Sequence, residues 1–215
     1  MFGPDQFGVQ PFAADLAFGL WQNTLSTRNG LVSARGVIGL NVIDLVMRIG
    51  LLSDTHGFLD DALITNFRDC DEIWHAGDFG TPEVLDQLKR VKPVRGVFGN
   101  VDGPEIRSRL PEDLEWCSEN LHVYMTHIGG YPGRYDPRAR RELESRKPGL
   151  FICGHTHIAR VMRDEKLALL HINPGASGHS GWHKERTAMR FDINAGKITN
   201  VALLPLGKRG RKVGL

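Results

Sequence analysis

The sequence predicts an α/β fold in which two mixed β-sheets pack together, flanked by helices, in a single domain. Three observations carry that expectation. Short apolar runs end repeatedly in a polar residue beside a glycine: Ile49 to Leu52 before Asp54-Thr55-His56-Gly57, Ile73 to Ala76 before Gly77-Asp78, and Val94 to Phe98 before Gly99-Asn100-Val101-Asp102. Helical patterns separate these runs, whereas the last third is strand-rich. With 215 residues, 41% of them hydrophobic, the chain is long enough for one sizeable core.

Each element follows from its local pattern. After the first strand, Leu59, Leu63 and Phe67 stand at helical spacing over a short helix from Asp60 to Phe67. Ile73 to Ala76 is the second strand. Thr81-Pro82-Glu83 opens a helix through Lys89, with threonine at the N-cap and proline first inside. Val94 to Phe98 is the third strand. Leu114 to Trp116 and Leu121 to Met125 begin a second sheet, and Pro137 to Arg146 is a charged surface helix with a solvated, salt-bridged face. Leu150 to Cys153 leads into Gly154-His155-Thr156-His157. Strands then follow at Ala159 to Arg163, Leu167 to Ile172, Thr187 to Ile193 and Ile198 to Leu204, with turns at Asp164-Glu165 and Asn194-Ala195-Gly196.

The ends read differently from the body. Residues 1–46 show Gly and Pro punctuation without a sustained period, and are expected to be a poorly ordered extension with Met47 as the biological start. They carry no secretory signal pattern, and Val37 to Met47 is too short and too polar to span a bilayer. The functional domain is expected at 47–206, followed by a basic tail at 207–215. Lys208, Arg209, Arg211 and Lys212 account for the chain's net charge of +2; outside that tail and the extension, 21 basic residues face 22 acidic ones. Such a body has no basic footprint, so nucleic acid is allowed but not favoured as a partner. Three cysteines, Cys70, Cys117 and Cys153, fit neither a disulfide framework nor a zinc knuckle and suit a reducing cytoplasm.

The polar residues closing the strands form a series. Asp54, Asp78, Asn100, His127 and His155 are separated by 24, 22, 27 and 28 positions, which suits successive strand-plus-connection units. In open α/β sheets, site residues gather beyond the carboxyl ends of strands. On an extended segment Asp54 and His56 share a face, which is metal-ligand spacing, and Gly154-His155-x-His157 repeats it. In this order and near this spacing, the five signals resemble the calcineurin-like metallophosphoesterase superfamily, especially its small prokaryotic phosphodiesterases, over residues 48–206.

That resemblance implies the metallophosphoesterase β-sandwich and a dinuclear metal centre. Asp54, His56 and His157 would bind one ion, Asn100, His127 and His155 the second, and Asp78 would bridge; catalytic roles fall on Asp78, Asn100 and His127. Two divalent ions about 3.5–4 Å apart activate a bridging hydroxide and stabilise in-line attack on phosphorus. With two aspartates and the hydroxide the site carries about +1, because the His and Asn ligands add no negative charge. Mixed imidazole, amide and carboxylate donors suit Mn, Fe, Co, Ni or Zn better than Ca, and the resemblance favours Mn in assays. The implied reaction is hydrolysis of a small phosphodiester, with no membrane partner and an open oligomeric state. Asn173-Pro174-Gly175 matches a family segment at the site edge and is read chiefly as a structural turn.

One position departs from the pattern. Many relatives have a histidine general acid directly after the motif asparagine; here that residue is Val101, which cannot donate a proton. Positioned general acids contribute on the order of 10² to 10⁴ in rate, so turnover is expected to be modest, with aryl phosphodiesters faster than alkyl monoesters. Asp102 is expected to support a ligand from behind. His75 suits a supporting role or plain packing, and His122 and His171 read as structural. His179 and His183 read as an ordinary exposed loop, the other reading being a substrate cleft shared with Lys184 and Arg186. The alternatives to a diesterase are a nuclease and a non-catalytic interaction scaffold, since the superfamily includes a retromer subunit of this fold; a scaffold would be expected to have lost ligands, and here all seven positions are filled.

Overall fold

The computed structural model describes residues 46–210. The expected extension lies outside them except for Val46, as do Arg211 and Lys212 of the tail. The elements run β1 (Met47–Leu52), α1 (Asp61–Asn66), β2 (Glu72–His75), α2 (Pro82–Val91), β3 (Val94–Gly96), α3 (Pro104–Arg109), β4 (Asp113–Ser118), β5 (Leu121–Thr126), β6 (Gly130–Tyr131), β7 (Arg134–Tyr135), α4 (Pro137–Arg146), β8 (Leu150–Ile152), β9 (Arg160–Asp164), β10 (Leu169–Asn173), β11 (Glu185–Asn194) and β12 (Lys197–Lys208).

Two five-stranded mixed sheets result, ordered β12-β11-β1-β2-β3 and β4-β5-β8-β10-β9, with β6 and β7 as a small separate ribbon. In the first sheet β1, β2 and β3 are parallel, and β11 runs antiparallel to β1. In the second, β5, β8 and β10 are parallel, with antiparallel edges β4 and β9.

Side-chain alternation packs these sheets face to face. Ile49, Leu51 and Trp74 of the first sheet meet Val123, Met125, Leu150 and Ile152 of the second in one buried cluster. Their sequence neighbours point the opposite way. Leu52 and Ile73 pack under Leu63 and Phe67 near α1 and under Leu85 and Leu88 of α2, while Tyr124 and Phe151 pack under Ala139 and Leu143 of α4. The order helix, sheet, sheet, helix buries both faces of central strands such as β5 and β8, which explains why those read as mostly apolar runs, whereas the edge strands β4, β9 and β12 keep exposed polar positions.

The helices follow their local chemistry. Asp60 caps α1, its Oδ1 accepting from Leu63 N at 2.9 Å. Thr81 sits at the N-cap of α2 but makes no side-chain cap bond, so Pro82 is the start signal that operates there. On α4, Arg140 pairs with Glu144 and Arg146 with Glu142, both at 2.8 Å and four residues apart.

Some expectations needed correction. The turn after β9 spans four residues, not two, because Asp164 Oδ1 accepts from both Lys166 N and Leu167 N and Ala168 takes a left-handed φ of 53°. Strand β12 runs past Leu204 to Lys208, and Arg209 docks back on the 178–184 loop through Arg209 N to Lys184 O at 3.0 Å. Helix α3 and the β6/β7 ribbon are additions to the expected elements. Among the described residues, no helix is long and apolar enough to cross a membrane.

Candidate metal centre

All parallel strands of both sheets send their carboxyl ends toward one spot. Asp54 follows β1, Asp78 follows β2, Asn100 follows β3, His127 follows β5, and His155 and His157 follow β8. At that spot the ligand atoms of Asp54, His56 and His157 lie within 4.8 Å of one another, and so do those of Asp54, Asp78 and His127. Asp54 Oδ1 lies 3.1 Å from His157 Nε2 and 4.0 Å from both His56 Nε2 and His127 Nε2; Asp78 Oδ2 lies 3.3 Å from His127 Nε2 and 3.9 Å from His56 Nε2. Asp54, like Asp78, therefore faces both halves of the site.

Asn100 and His155 stand at the mouth, both exposed. The ring of His155 meets that of His127 edge-on, with centroids 5.3 Å apart. Asn100 and His127 line a cavity of about 350 Å³ together with Phe98, Thr126, Ile128 and Arg138.

The backbone that delivers these ligands is strained. Asp54, His56, Asp78, His155 and His157 all have φ between 48° and 67°, the left-handed region that non-glycine residues rarely enter. The Asp54-Thr55-His56 triplet is thus not extended as alternation suggested; two left-handed residues turn both side chains inward instead. At Gly99 the requirement is close approach, since a Cβ there would lie 2.0 Å from Asp78 Oδ1.

Hydrogen bonds select which atom of each ligand faces inward. Asp54 Oδ2 accepts from His155 N at 3.1 Å, leaving Oδ1 free, and Asp78 Oδ1 accepts from Val101 N at 3.0 Å, leaving Oδ2 free. His127 Nδ1 donates to Ala76 O at 2.7 Å, which turns the lone pair of Nε2 inward. Asp54 Oδ1 and His127 Nε2 are buried and have no hydrogen-bond partner in the protein. Buried polar atoms are almost always partnered, so these two point to a missing group. A divalent cation fits both, because an anionic oxygen and a neutral imidazole nitrogen are its ordinary donors.

Protonation suits the same role. Burial pushes His56 and His155 below the ordinary imidazole range. Burial also opposes charge on Asp78 and on His127, but each outweighs it for the other: Asp78 is held below the ordinary carboxylate range by His127 and the Val101 amide, and His127 is raised by Asp78 and Asp54. Asp78 Oδ2 and His127 Nε2, 3.3 Å apart, thus favour each other electrostatically, and a cation held between them would supply the positive charge that Asp78 calls for.

Asp102 Oδ2 accepts from Gly99 N at 2.7 Å and Asp78 N at 3.1 Å, and its Oδ1 accepts from Gly80 N at 2.8 Å, tying the Asp78 loop to the Asn100 loop. His75 both packs and supports: it stacks on Phe79, accepts from Gly77 N at 3.2 Å, and its Nε2 lies 3.0 Å from Thr55 Oγ1. Asn173 bridges its turn to the histidine loop, donating to Gly154 O at 2.7 Å and accepting from Gly175 N at 2.9 Å. Arg186 does not face solvent beside His179 and Lys184 as the cleft reading expects; it is buried against Asp60 at 2.5 Å. His183, expected in an ordinary exposed loop, instead has its Nδ1 3.2 Å from His157 Nδ1. No spacing in the sequence ties the two; the place of His183 directly after the Gly-rich segment 175–182 is the local hint.

Known proteins match this arrangement. The model of the calcineurin-like phosphoesterase superfamily domain matches residues 47–196. A protein described as "Probable metallophosphoesterase" from Methanothermobacter thermautotrophicus is 37% identical over 140 residues, covering 60% of this chain and 77% of that protein. One of the same description from Methanocaldococcus jannaschii is 32% identical over 137 residues, covering 60% and 68%. Among solved structures, an archaeal phosphodiesterase superposes with a TM-score of 0.59 at 22% identity, covering 74% of this chain and all of that one. Vps29 from Entamoeba histolytica, complexed with zinc, superposes with a TM-score of 0.60 at 16% identity, covering 76% and 100%. At those identities the structural matches speak for the fold alone. The family match spans most of the chain and the ligand-bearing strand ends fall inside it, so the chain belongs to the calcineurin-like phosphoesterase superfamily.

Proposed function

We propose that this chain is a dinuclear metal-dependent phosphodiesterase that hydrolyses small phosphodiesters in the cytoplasm. The observation that carries it is the convergence of Asp54, His56, Asp78, His127 and His157 from both sheets on one spot, where Asp54 Oδ1 and His127 Nε2 lack a protein partner. Asp54, His56 and His157 would hold one ion, and Asn100, His127 and His155 the other, with Asp78 and Asp54 facing both. When bound, the ions supply Lewis acidity, which draws the phosphate and readies a water for attack at neutral pH.

The chain's own residues define the rest. His75, Asp102 and the Val101 amide hold the ligand loops before substrate arrives, so little reorganisation is left for the reaction. Asn100 and His155 stand exposed at the mouth, where a phosphate oxygen first arrives. Val101, 49% exposed, would stand on the leaving-group side without a proton to give. Exposed Ile128 and Ile158, like Val101, each directly follow a candidate ligand, a placement that would give the site an apolar rim. An apolar rim without an acid favours aryl leaving groups, which depart as stable anions. The three cysteines are unpaired, two of them buried, which supports a reducing compartment.

The same rim supports a second reading as an interaction scaffold of this fold, which needs apolar surface but no turnover. Hydrolysis of bis-p-nitrophenyl phosphate by metal-stripped protein, with and without Mn²⁺ and beside an Asp78→Asn control, separates the two. The diesterase reading expects metal-dependent turnover that the control loses, and rates on aryl diesters above those on alkyl monoesters. Absence of turnover by wild-type protein shown to hold metal would favour the scaffold.

A further inference from the structure

The loop 177–183 lies outside the ligand motifs but is built against two of the ligands. Ser177 N donates to Ser53 O at 2.9 Å and Gly178 N donates to Asp54 O at 3.0 Å, so the loop's first half is fastened to the backbone carrying Asp54. Its second half wraps the ring of His157. Gly181 has a φ of 116°, and a Cβ there would lie 2.0 Å from His157 Nδ1, so no side chain fits. Arg209 at the end of β12 closes the loop, its Nη1 donating to Gly181 O at 2.7 Å.

Within that frame His183 sits 3.2 Å from His157, Nδ1 to Nδ1, with ring centroids 5.1 Å apart. Its other nitrogen, Nε2, lies 3.0 Å from Gly178 O. A carbonyl only accepts, so Nε2 carries the proton of His183. A neutral His183 then presents a lone pair at Nδ1, and the short contact to His157 requires His157 Nδ1 to donate. That leaves the lone pair of His157 on Nε2, the atom 3.1 Å from Asp54 Oδ1 and 3.3 Å from His56 Nε2. The order of donation is fixed at its far end by the carbonyl of Gly178, the residue whose amide N–H donates to Asp54 O.

We propose that His183 is a positioning residue of the metal centre: it accepts the Nδ1 proton of His157 and so fixes the tautomer and ring orientation with which His157 binds the ion shared with Asp54 and His56. The inference rests on the dinuclear reading of the site. It predicts that His183 acts on one ion and leaves the other alone, because no contact joins it to Asn100, His127 or His155 among those described.

Metal binding, not turnover, tests this. Metal-stripped full-length protein is dialysed against graded Mn²⁺ and the bound ions are counted; the Zn²⁺-loaded protein is examined by ¹⁵N NMR for the tautomer of His157. Wild type is expected to bind two ions with His157 protonated on Nδ1. His183→Ala is expected to bind one ion as before and the other about 10- to 100-fold more weakly, whereas His183→Gln, whose amide oxygen accepts the same proton, recovers most of the loss. Trp182→Ala, a change at a fully exposed neighbour, controls for disturbance of the loop. Wild-type affinity for both ions in His183→Ala, equal weakening of both, or an equal loss in Trp182→Ala would overturn the role of His183 while leaving the dinuclear site standing. A wild-type protein that binds no ion would overturn the dinuclear reading and this inference together.

Discussion

The site has a buried wall and an open mouth, and the two are built differently. Asp54, Asp78 and His127 make the wall, each at most 3% exposed, with the outer atom of each side chain spent on a backbone group. Asn100 and His155 make the mouth and are exposed. The charged ligands thus sit where water is excluded and electrostatic attraction is strongest, while neutral ligands face the solvent from which an anionic substrate comes. Burying carboxylates without a cation is costly, so the wall is the part of the molecule that most needs an ion.

The wall itself is the part most sensitive to substitution. Asp78→Asn keeps the shape but removes a charge that faces both halves of the site. It is expected to lower metal-dependent turnover by at least about 100-fold and to reduce bound metal, read by hydrolysis rate and metal content. Next comes the wall's support: Asp102→Ala leaves the amides of Asp78, Gly80 and Gly99 without their acceptor. An expected loss of about 2–3 kcal/mol in urea unfolding accompanies weaker metal binding.

An effect of similar size that depends on pH lies at His171, buried with its Nε2 3.1 Å from Gly130 O. Burial pushes its pKa down to about 4, so it stays neutral in the fold while the unfolded chain takes up a proton below about 6.5. The unfolded state then binds more protons, and stability falls as pH drops from about 6.5 to 4, by about 2–3 kcal/mol from this group. His171→Gln, which keeps a donor for Gly130 O, is expected to flatten that part of the stability–pH curve relative to wild type. The smallest change is at the rim: Ile158→Ser at an exposed position should alter stability by less than about 0.5 kcal/mol and leave metal content unchanged. Under the diesterase reading it lowers the preference for aryl over alkyl diesters, measured as a ratio of rates.

The wall was more legible in the sequence than its surroundings. A ligand directly after a buried strand leaves a local signature, an apolar run broken by a polar residue and glycine, and Asp54, Asp78 and His127 all carry it. Helix α4 matches its expected bounds, Pro137–Arg146, because Asp136 and Pro137 form a strong local start signal. Helix α3 was hidden because six residues are too few to establish a period. Strand β12 continues beyond the expected Leu204 through Pro205, because β12 is a sheet edge, where a missing amide proton costs little. Left-handed backbone at five ligands and the contact of His183 with His157 are tertiary facts: the first depends on what the loops pack against, the second joins residues 26 apart through a loop whose path no local pattern encodes.

The arrangement of strand ends has a consequence for the molecule's cohesion. Asp54, Asp78 and Asn100 belong to one sheet, and His127, His155 and His157 to the other, so an ion held among them is a rivet through the seam between the sheets. Its binding energy adds to the packing of the two halves: an ion at 100 times its dissociation constant stabilises the fold by about 2.7 kcal/mol. Ambient metal would then set how readily the seam parts, as well as whether the site works.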